Sequence, residues 1–175
     1  LSLLVVSSPA LAAKQGGILR VYHRDSPGSA SIHEGATYSV NVPFMPVFNN
    51  RVIYQQDVAQ NSLASIVPDL ADSCAWSCHN KTLRFQLHQG VKWHDGKPVT
   101  ADDVKCTWDM LIGKSPNKPR LNPRKAWYRN LDDVVAEGDY ATTFVLKRPQ
   151  PAFLFLLAGG MSPIYPCHVT AQQMR

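Results

Sequence analysis

Apolar and polar positions alternate between Thr82 and Leu87, with Leu83, Phe85 and Leu87 on one side and Thr82, Arg84 and Gln86 on the other. A period of two predicts a half-buried strand. The alternation returns at Tyr140, Thr142, Phe144 and Leu146. Leu131 to Glu137 precedes it across Gly138-Asp139, so these residues predict a second hairpin. In between the period changes. Val104, Trp108, Leu111 and Ile112 share one face of a helix. Thr100 followed three residues later by Asp103 predicts its start, a capping box with Asp in place of the usual Glu. Asp95-Gly96 predicts a tight turn. The stretch from Val67 to Ile112 therefore reads as a hairpin, a glycine-rich turn and a capped helix, and the rest of the chain is arranged around it.

Before it, Ile18 to His23 predicts a strand, Asp25 to Ala36 a loop, Tyr38 to Asn50 a helix and Val52 to Tyr54 a short strand. Pro43 and Pro46 sit inside the predicted helix and would kink or delay it. After it comes a basic, proline-marked loop from Gly113 to Pro123. Arg124 to Asn130 then predicts a short helical turn carrying Trp127. Ala152 to Ala158 predicts an apolar helix, with Gly159-Gly160 as its end. Ser162 to Tyr165 predicts a strand. There is no internal repeat.

With 45% hydrophobic and 18% charged residues, the chain is globular rather than disordered. Its 175 residues suit one domain of ordinary size. The net charge of +5 is spread thinly. The densest cluster, Lys118, Arg120, Arg124, Lys125 and Arg129, reads as a solvated loop. No recognition motif accompanies it, so no nucleic-acid partner is expected. Residues 1–12 are uncharged, and Ala10-Leu11-Ala12 fits a signal-peptidase site. The first cysteine is Cys74, far from that point. These features predict an exported, soluble periplasmic chain with no lipid-anchoring cysteine.

Four cysteines in an exported chain allow three disulfide pairings. Cys74 and Cys78 stand ~13 Å apart if extended, too far for a bridge. Cys106 with Cys167 is the preferred pair. Cys74-Ala75-Trp76-Ser77-Cys78-His79 approaches the haem-attachment motif but has three residues between its cysteines instead of two. Cys74, Cys78, His79 and His88 would make a zinc set, without the second spaced pair that such sites show. His94 and Asp95 have the look of a catalytic pair, but no nucleophile or second base stands beside them. No hydrolase motif is present, and neither enzymatic activity nor a cofactor is expected.

Several segments taken together resemble the family 5 extracellular solute-binding proteins of bacterial ABC importers, the peptide- and nickel-type receptors. They are Gly17-Ile18-Leu19-Arg20-Val21, Ile66 to Ala71, Gly90-Val91-Lys92-Trp93-His94-Asp95-Gly96, Phe144 to Pro149, and Pro151-Ala152-Phe153-Leu154. The resemblance implies a mixed α/β (α+β) chain, the N-terminal part of a two-lobed type II periplasmic binding protein. Residues 13–37 would be the first strand and loop of one lobe. Residues 38–157 would be a small inserted subdomain of hairpins and helices. Residues 158–175 would return to the lobe, and the second lobe would lie outside these residues. The implied function is capture of a small solute, a di- or oligopeptide, and its delivery to an inner-membrane permease by a monomer. Ligand contacts would come from the loop after the first strand (His33, Glu34 and Tyr38), from Trp127, and from Gly159, Gly160 and Met161. His33-Glu34 replaces the family's usual Asp-Pro, which bears on the contacts of that loop. A periplasmic metal or haem carrier using Cys74, Cys78 and His79 is the alternative, and a hydrolase the third reading.

Overall fold

A computed structural model describes residues 17–173 apart from positions 19, 24, 78 and 171. The expected signal remnant at 1–12 lies outside the described residues, as does Cys78. Among the described residues, three helices and six strands follow in order. They are α1 (Tyr38–Phe44), β1 (Val52–Tyr54), β2 (Ile66–Pro68), β3 (Ala71–Trp76), β4 (Thr82–Leu87), α2 (Ala101–Ile112), β5 (Leu131–Ala136), β6 (Ala141–Leu146) and α3 (Phe153–Ala158). Single 3-10 turns stand at Leu63–Ser65 and Lys125–Tyr128. Strands β1 and β2 form a two-stranded antiparallel ribbon. The main sheet has the order β3-β4-β6-β5 and is antiparallel throughout.

The alternating pattern explains this sheet. Leu83, Phe85 and Leu87 face inward from β4, and Thr142, Phe144 and Leu146 face inward beside them from β6. Helix α2 covers the same face with Val104, Trp108 and Leu111, all buried. Phe85, Trp108, Tyr128, Phe144 and Phe153 meet edge to face or tilted, with ring centroids 5.3–6.1 Å apart. These are favoured geometries for aromatic pairs. Strand β3 is exposed along most of its length, with Asp72 on it, as suits a sheet edge.

The capping box forms as the sequence predicts, with the Thr100 amide donating to Asp103 Oδ2 at 2.9 Å. Asp103 does more than cap. The Trp93 indole donates to its Oδ2 at 3.1 Å, and the Cys167 amide to its Oδ1 at 2.7 Å. The helix start, the Trp93-His94-Asp95-Gly96 turn and the C-terminal segment are thus joined at one buried carboxylate. Gly113 closes the helix at φ 86°, a left-handed conformation that costs glycine nothing.

Four expectations change. Ile18 to His23 is not a strand in its described residues, and Val21 and Tyr22 are solvent-exposed. A strand needs a paired edge, and no described strand lies beside it. The first helix stops at Phe44, one residue after Pro43, instead of running to Asn50. Pro43 and Pro46 both lack the amide that would continue it. Ser162 to Tyr165 is extended but carries no ladder. Instead the Ile164 amide donates to Asn49 O at 3.0 Å and the Tyr165 amide to Thr107 Oγ1 at 2.9 Å. Arg124, expected in a solvated basic loop, is buried, while Lys118, Arg120, Lys125 and Arg129 are exposed.

Candidate functional site

Two segments far apart in sequence, the loop 31–38 and the return segment 158–165, lie against each other. His33 begins the joint. Its Nε2 donates to Pro163 O at 2.8 Å, and its amide donates to the Tyr165 hydroxyl at 3.2 Å. A carbonyl only accepts, so the proton sits on Nε2. The ring packs edge-on against Tyr165, with centroids 4.6 Å apart. Burial lowers the His33 pKa to about 4, against the opposing pull of the Pro163 hydrogen bond and with Arg124 and Arg51 lowering it further. Burial likewise pushes the Tyr165 phenol up.

Arg124 completes the joint. Its Nη1 donates to Ile32 O at 2.7 Å, and its Nη2 to Gly35 O at 2.9 Å and Asn41 Oδ1 at 3.3 Å. Nη2 also lies 3.2 Å from Met161 Sδ. One guanidinium therefore holds the loop, α1 and the return segment together. Glu34 is buried too, and its Oε1 accepts from the Arg120 amide. Tyr128 and Ser162 extend the network. Ser162 Oγ gives its proton to Leu156 O at 2.7 Å, so the Tyr128 hydroxyl donates to it at 2.8 Å.

A cleft of about 670 Å3 opens beside this joint, bounded by Met45, Phe48, Asn50, Tyr54, Gln56 and Asp69 together with Gly159 and Gly160. Its wall is tightly bonded. Asp69 accepts from Asn49 Nδ2 and from the Asn50 amide, both at 2.8 Å. Asn50 Nδ2 donates to Gly159 O at 2.9 Å. Tyr54 donates to Phe155 O at 3.2 Å. Gly159 ends α3 in an extended conformation rather than a left-handed one. At Gly160 a Cβ would run into the Met45 methyl, the flexible end of that side chain, which would have to swing aside.

Of the residues singled out from sequence, His33, Glu34 and Met161 come together around Arg124, and Gly159 and Gly160 line the cleft. Tyr38 is solvent-exposed, with its ring stacked 6.0 Å from His23. Trp127 opens onto a different cleft. Cys106 and Cys167 are joined by a disulfide, with Cα atoms 5.6 Å apart. Cys74 is an exposed free thiol whose pKa is raised by partial burial, and Cys78 lies outside the described residues. Among the described residues no three His, Cys, Asp or Glu side chains stand where they could hold a metal. His88 pairs with Asp72. Asp95 pairs not with His94 but with His168, at 2.7 Å. Its pKa is held down by the Lys97 amide first and by His168 after that.

Sequence reasoning missed Arg124 and Arg51. The guanidinium carbon of Arg51 lies 3.8 Å from the Trp108 ring centroid, 4.9 Å from that of Phe144 and 5.5 Å from that of Phe85. Burial lowers its pKa to about 9. Nothing in the sequence around Arg51 signals this. For Arg124, the flanking Asn122-Pro123 and the aromatic pair Trp127-Tyr128 hint at order within a basic run.

No helix among the described residues is long and apolar enough to cross a membrane. The fold is that of solved type II periplasmic binding proteins. Helicobacter pylori DppA in complex with the peptide STSA superposes with a TM-score of 0.65 at 20% identity, covering 79% of this chain and 29% of that one. Campylobacter jejuni NikZ in complex with Ni(L-His) gives 0.64 at 21% identity, covering 86% and 28%. Among sequences, the dipeptide-binding protein of Escherichia coli is 29% identical over 145 residues, 74% of this chain and 25% of that protein. The periplasmic murein peptide-binding protein MppA of Escherichia coli is 31% identical over 131 residues, 74% and 22%. The chain spans between 15% and 25% of the length of the curated relatives it matches. The profile described as "Bacterial extracellular solute-binding proteins, family 5 Middle" matches residues 65–172. The chain belongs to the family 5 bacterial extracellular solute-binding proteins.

Proposed function

We propose that this chain supplies one wall of a periplasmic solute cleft, and that the protein carrying it captures a di- or oligopeptide and delivers it to the permease of an ABC importer. The observation that carries this reading is the joint at Arg124. It makes one surface of the loop 31–38 and the return segment 158–165, the two segments that resemblance to the family places near ligand. His33 and Glu34 serve that surface from behind, because their polar groups are engaged internally. Tyr38, Gly159, Gly160 and Met161 are its exposed or half-exposed members.

The lining favours a peptide over an ion. The exposed Gln55 and Gln56 offer amides, and the Gly159-Gly160 backbone is bare of side chains. Amide groups and open backbone match the alternating donors and acceptors of a peptide main chain. The relatives named for peptide binding point the same way. Residues 38–157 form the subdomain that backs this wall, and a second lobe closes over the ligand by hinge motion. In this role the chain performs no bond chemistry. The readings as a metal or haem carrier or as a hydrolase gain no support from the arrangement of Cys74, His79, His94 or Asp95.

Calorimetry of the full-length protein against peptides of two to five residues tests this. Saturable heat is expected, lost when the second lobe is removed. Heat with nickel–histidine or a sugar, and none with any peptide, would overturn it.

A further inference from the structure

Trp127 stands at a second cleft of about 540 Å3, which shares no lining residue with the solute cleft. The residue is 43% exposed. Around it lie Arg129, Lys147 and Arg148, with the amides of Asn130 and Gln150 between them. This is a built framework rather than a run of loose side chains. Asn130 Nδ2 donates to Arg148 O at 2.8 Å and to Gln150 Oε1 at 2.9 Å. The Arg148 amide donates to Asn130 Oδ1 at 3.2 Å, and the Lys147 amide to Asn130 O at 2.9 Å. The approach to β5 and the exit from β6 are thereby laced together, and the cations project from the lacing.

What marks these cations is that three of them line one cleft. Elsewhere on the fold Arg84, Lys105 and Lys114 each hold a carboxylate at 2.8–2.9 Å. Arg129, Lys147 and Arg148 form no ion pair among the described residues, and no Asp or Glu lines their cleft. Arg129 Nε and Lys147 Nζ reach only the carbonyls of Ala126 and Arg129, each at 3.2 Å. Three like charges in one concavity raise the local potential and favour an anion there. The indole adds a second requirement. Its flat apolar face suits a partner with a flat apolar face of its own. A pyranose ring has one in its axial C–H groups, and a uronic- or muramic-type sugar carries a carboxylate beside it. A flat lipid surface would not need a concave site.

We propose that the Trp127 cleft is a second binding site, separate from the solute cleft, for an acidic saccharide. The carboxylates meet Arg129, Lys147 and Arg148, a ring face stacks on Trp127, and the free amide hydrogens of Gln150 meet hydroxyls.

The test is calorimetric titration of the full-length protein with trigalacturonate at low salt. Saturable binding is expected, with no binding of neutral maltotriose and a marked loss as salt rises. The double substitution Lys147→Gln with Arg148→Gln should weaken it by about tenfold or more, and Trp127→Ala by about tenfold. All three side chains are exposed, so both variants should fold, which circular dichroism checks. The double variant should leave the titration with the transported solute unchanged. Absence of saturable trigalacturonate binding overturns the proposal. So does triglutamate binding of equal strength that survives Trp127→Ala, which would assign the cleft to an acidic polypeptide instead.

Discussion

Acid should loosen this protein through His33, and the size of the effect follows from its burial. The imidazole has a pKa of about 4 in the folded chain against 6.5 when free. The unfolded chain therefore takes up the proton first as pH falls. Stability is fully present above pH 6.5, declines as pH drops from there, and levels off below about 4. Each tenfold difference in proton affinity between the folded and unfolded chains is worth about 1.4 kcal/mol, so the loss by pH 4 amounts to about 3 kcal/mol. That is a large part of the stability of a small domain. The charged groups facing the ring are Arg124 and Arg51, which stay protonated across this window and oppose a third positive charge. Urea denaturation at pH 7, 5.5 and 4, followed by circular dichroism, measures the slope. His33→Gln supplies the control, because its side-chain amide can still donate to Pro163 O while carrying no titrating proton. The variant should be about 1 kcal/mol less stable at pH 7, and the gap should close and reverse by pH 4. Contributions from Asp95, Asp133 and Glu137, all held low by hydrogen-bonding partners, are common to both proteins and cancel. Parallel losses in wild type and variant would refute the assignment.

Three further outcomes follow from the same contacts. Reducing the Cys106–Cys167 bridge, which spans 61 residues, should cost about 4 kcal/mol in the chain-entropy picture, read as a fall in the urea midpoint on adding dithiothreitol. Arg124→Lys keeps the charge but not the fork that reaches Ile32, Gly35 and Asn41 together, and should lower stability by about 2–4 kcal/mol and weaken solute binding, both measurable on one preparation. Asp103→Asn turns one acceptor oxygen into a donor facing other donors, and a loss of about 2 kcal/mol is expected by thermal unfolding, with no change if the capping carboxylate were idle.

Much of the fold is readable because it is local. The strand at Leu83–Leu87 and the face Val104, Trp108 and Leu111 are written in spacings of two and of three to four residues, and burial follows the pattern directly. The Thr100–Asp103 cap is a four-residue signal, and its two members meet. What the sequence hides is pairing at long range. Ile18 to His23 has strand composition but no ladder, because composition says nothing about whether an edge is available. Ser162 to Tyr165 is extended yet bonds to Asn49 and to the Thr107 side chain, two partners that no periodicity names.

The same limit governs the candidate site, where two buried arginines carry the organisation. A cation within a basic run reads as solvated unless its partners are known, and the partners of Arg124 are carbonyls 89 and 92 residues away. Arg51 is harder still, because its main partners are ring faces. Yet its position explains how the wall of the cleft at Gly159 and Gly160 is held. The side chain is clasped by Trp108, Phe144 and Phe85 in the core of the main sheet and α2. Its carbonyl accepts from the Asp69 amide at 3.2 Å and the Ala71 amide at 2.9 Å. Its neighbour Asn50 binds both Asp69 and Gly159. The cleft wall and the aromatic core are consequently bolted through one residue. Moving the wall would mean unstacking a guanidinium from three rings, a cost of several cation–π contacts at about 1–2 kcal/mol each when desolvated. A wall held this way moves as a body with its core, as the hinge closure proposed above would require.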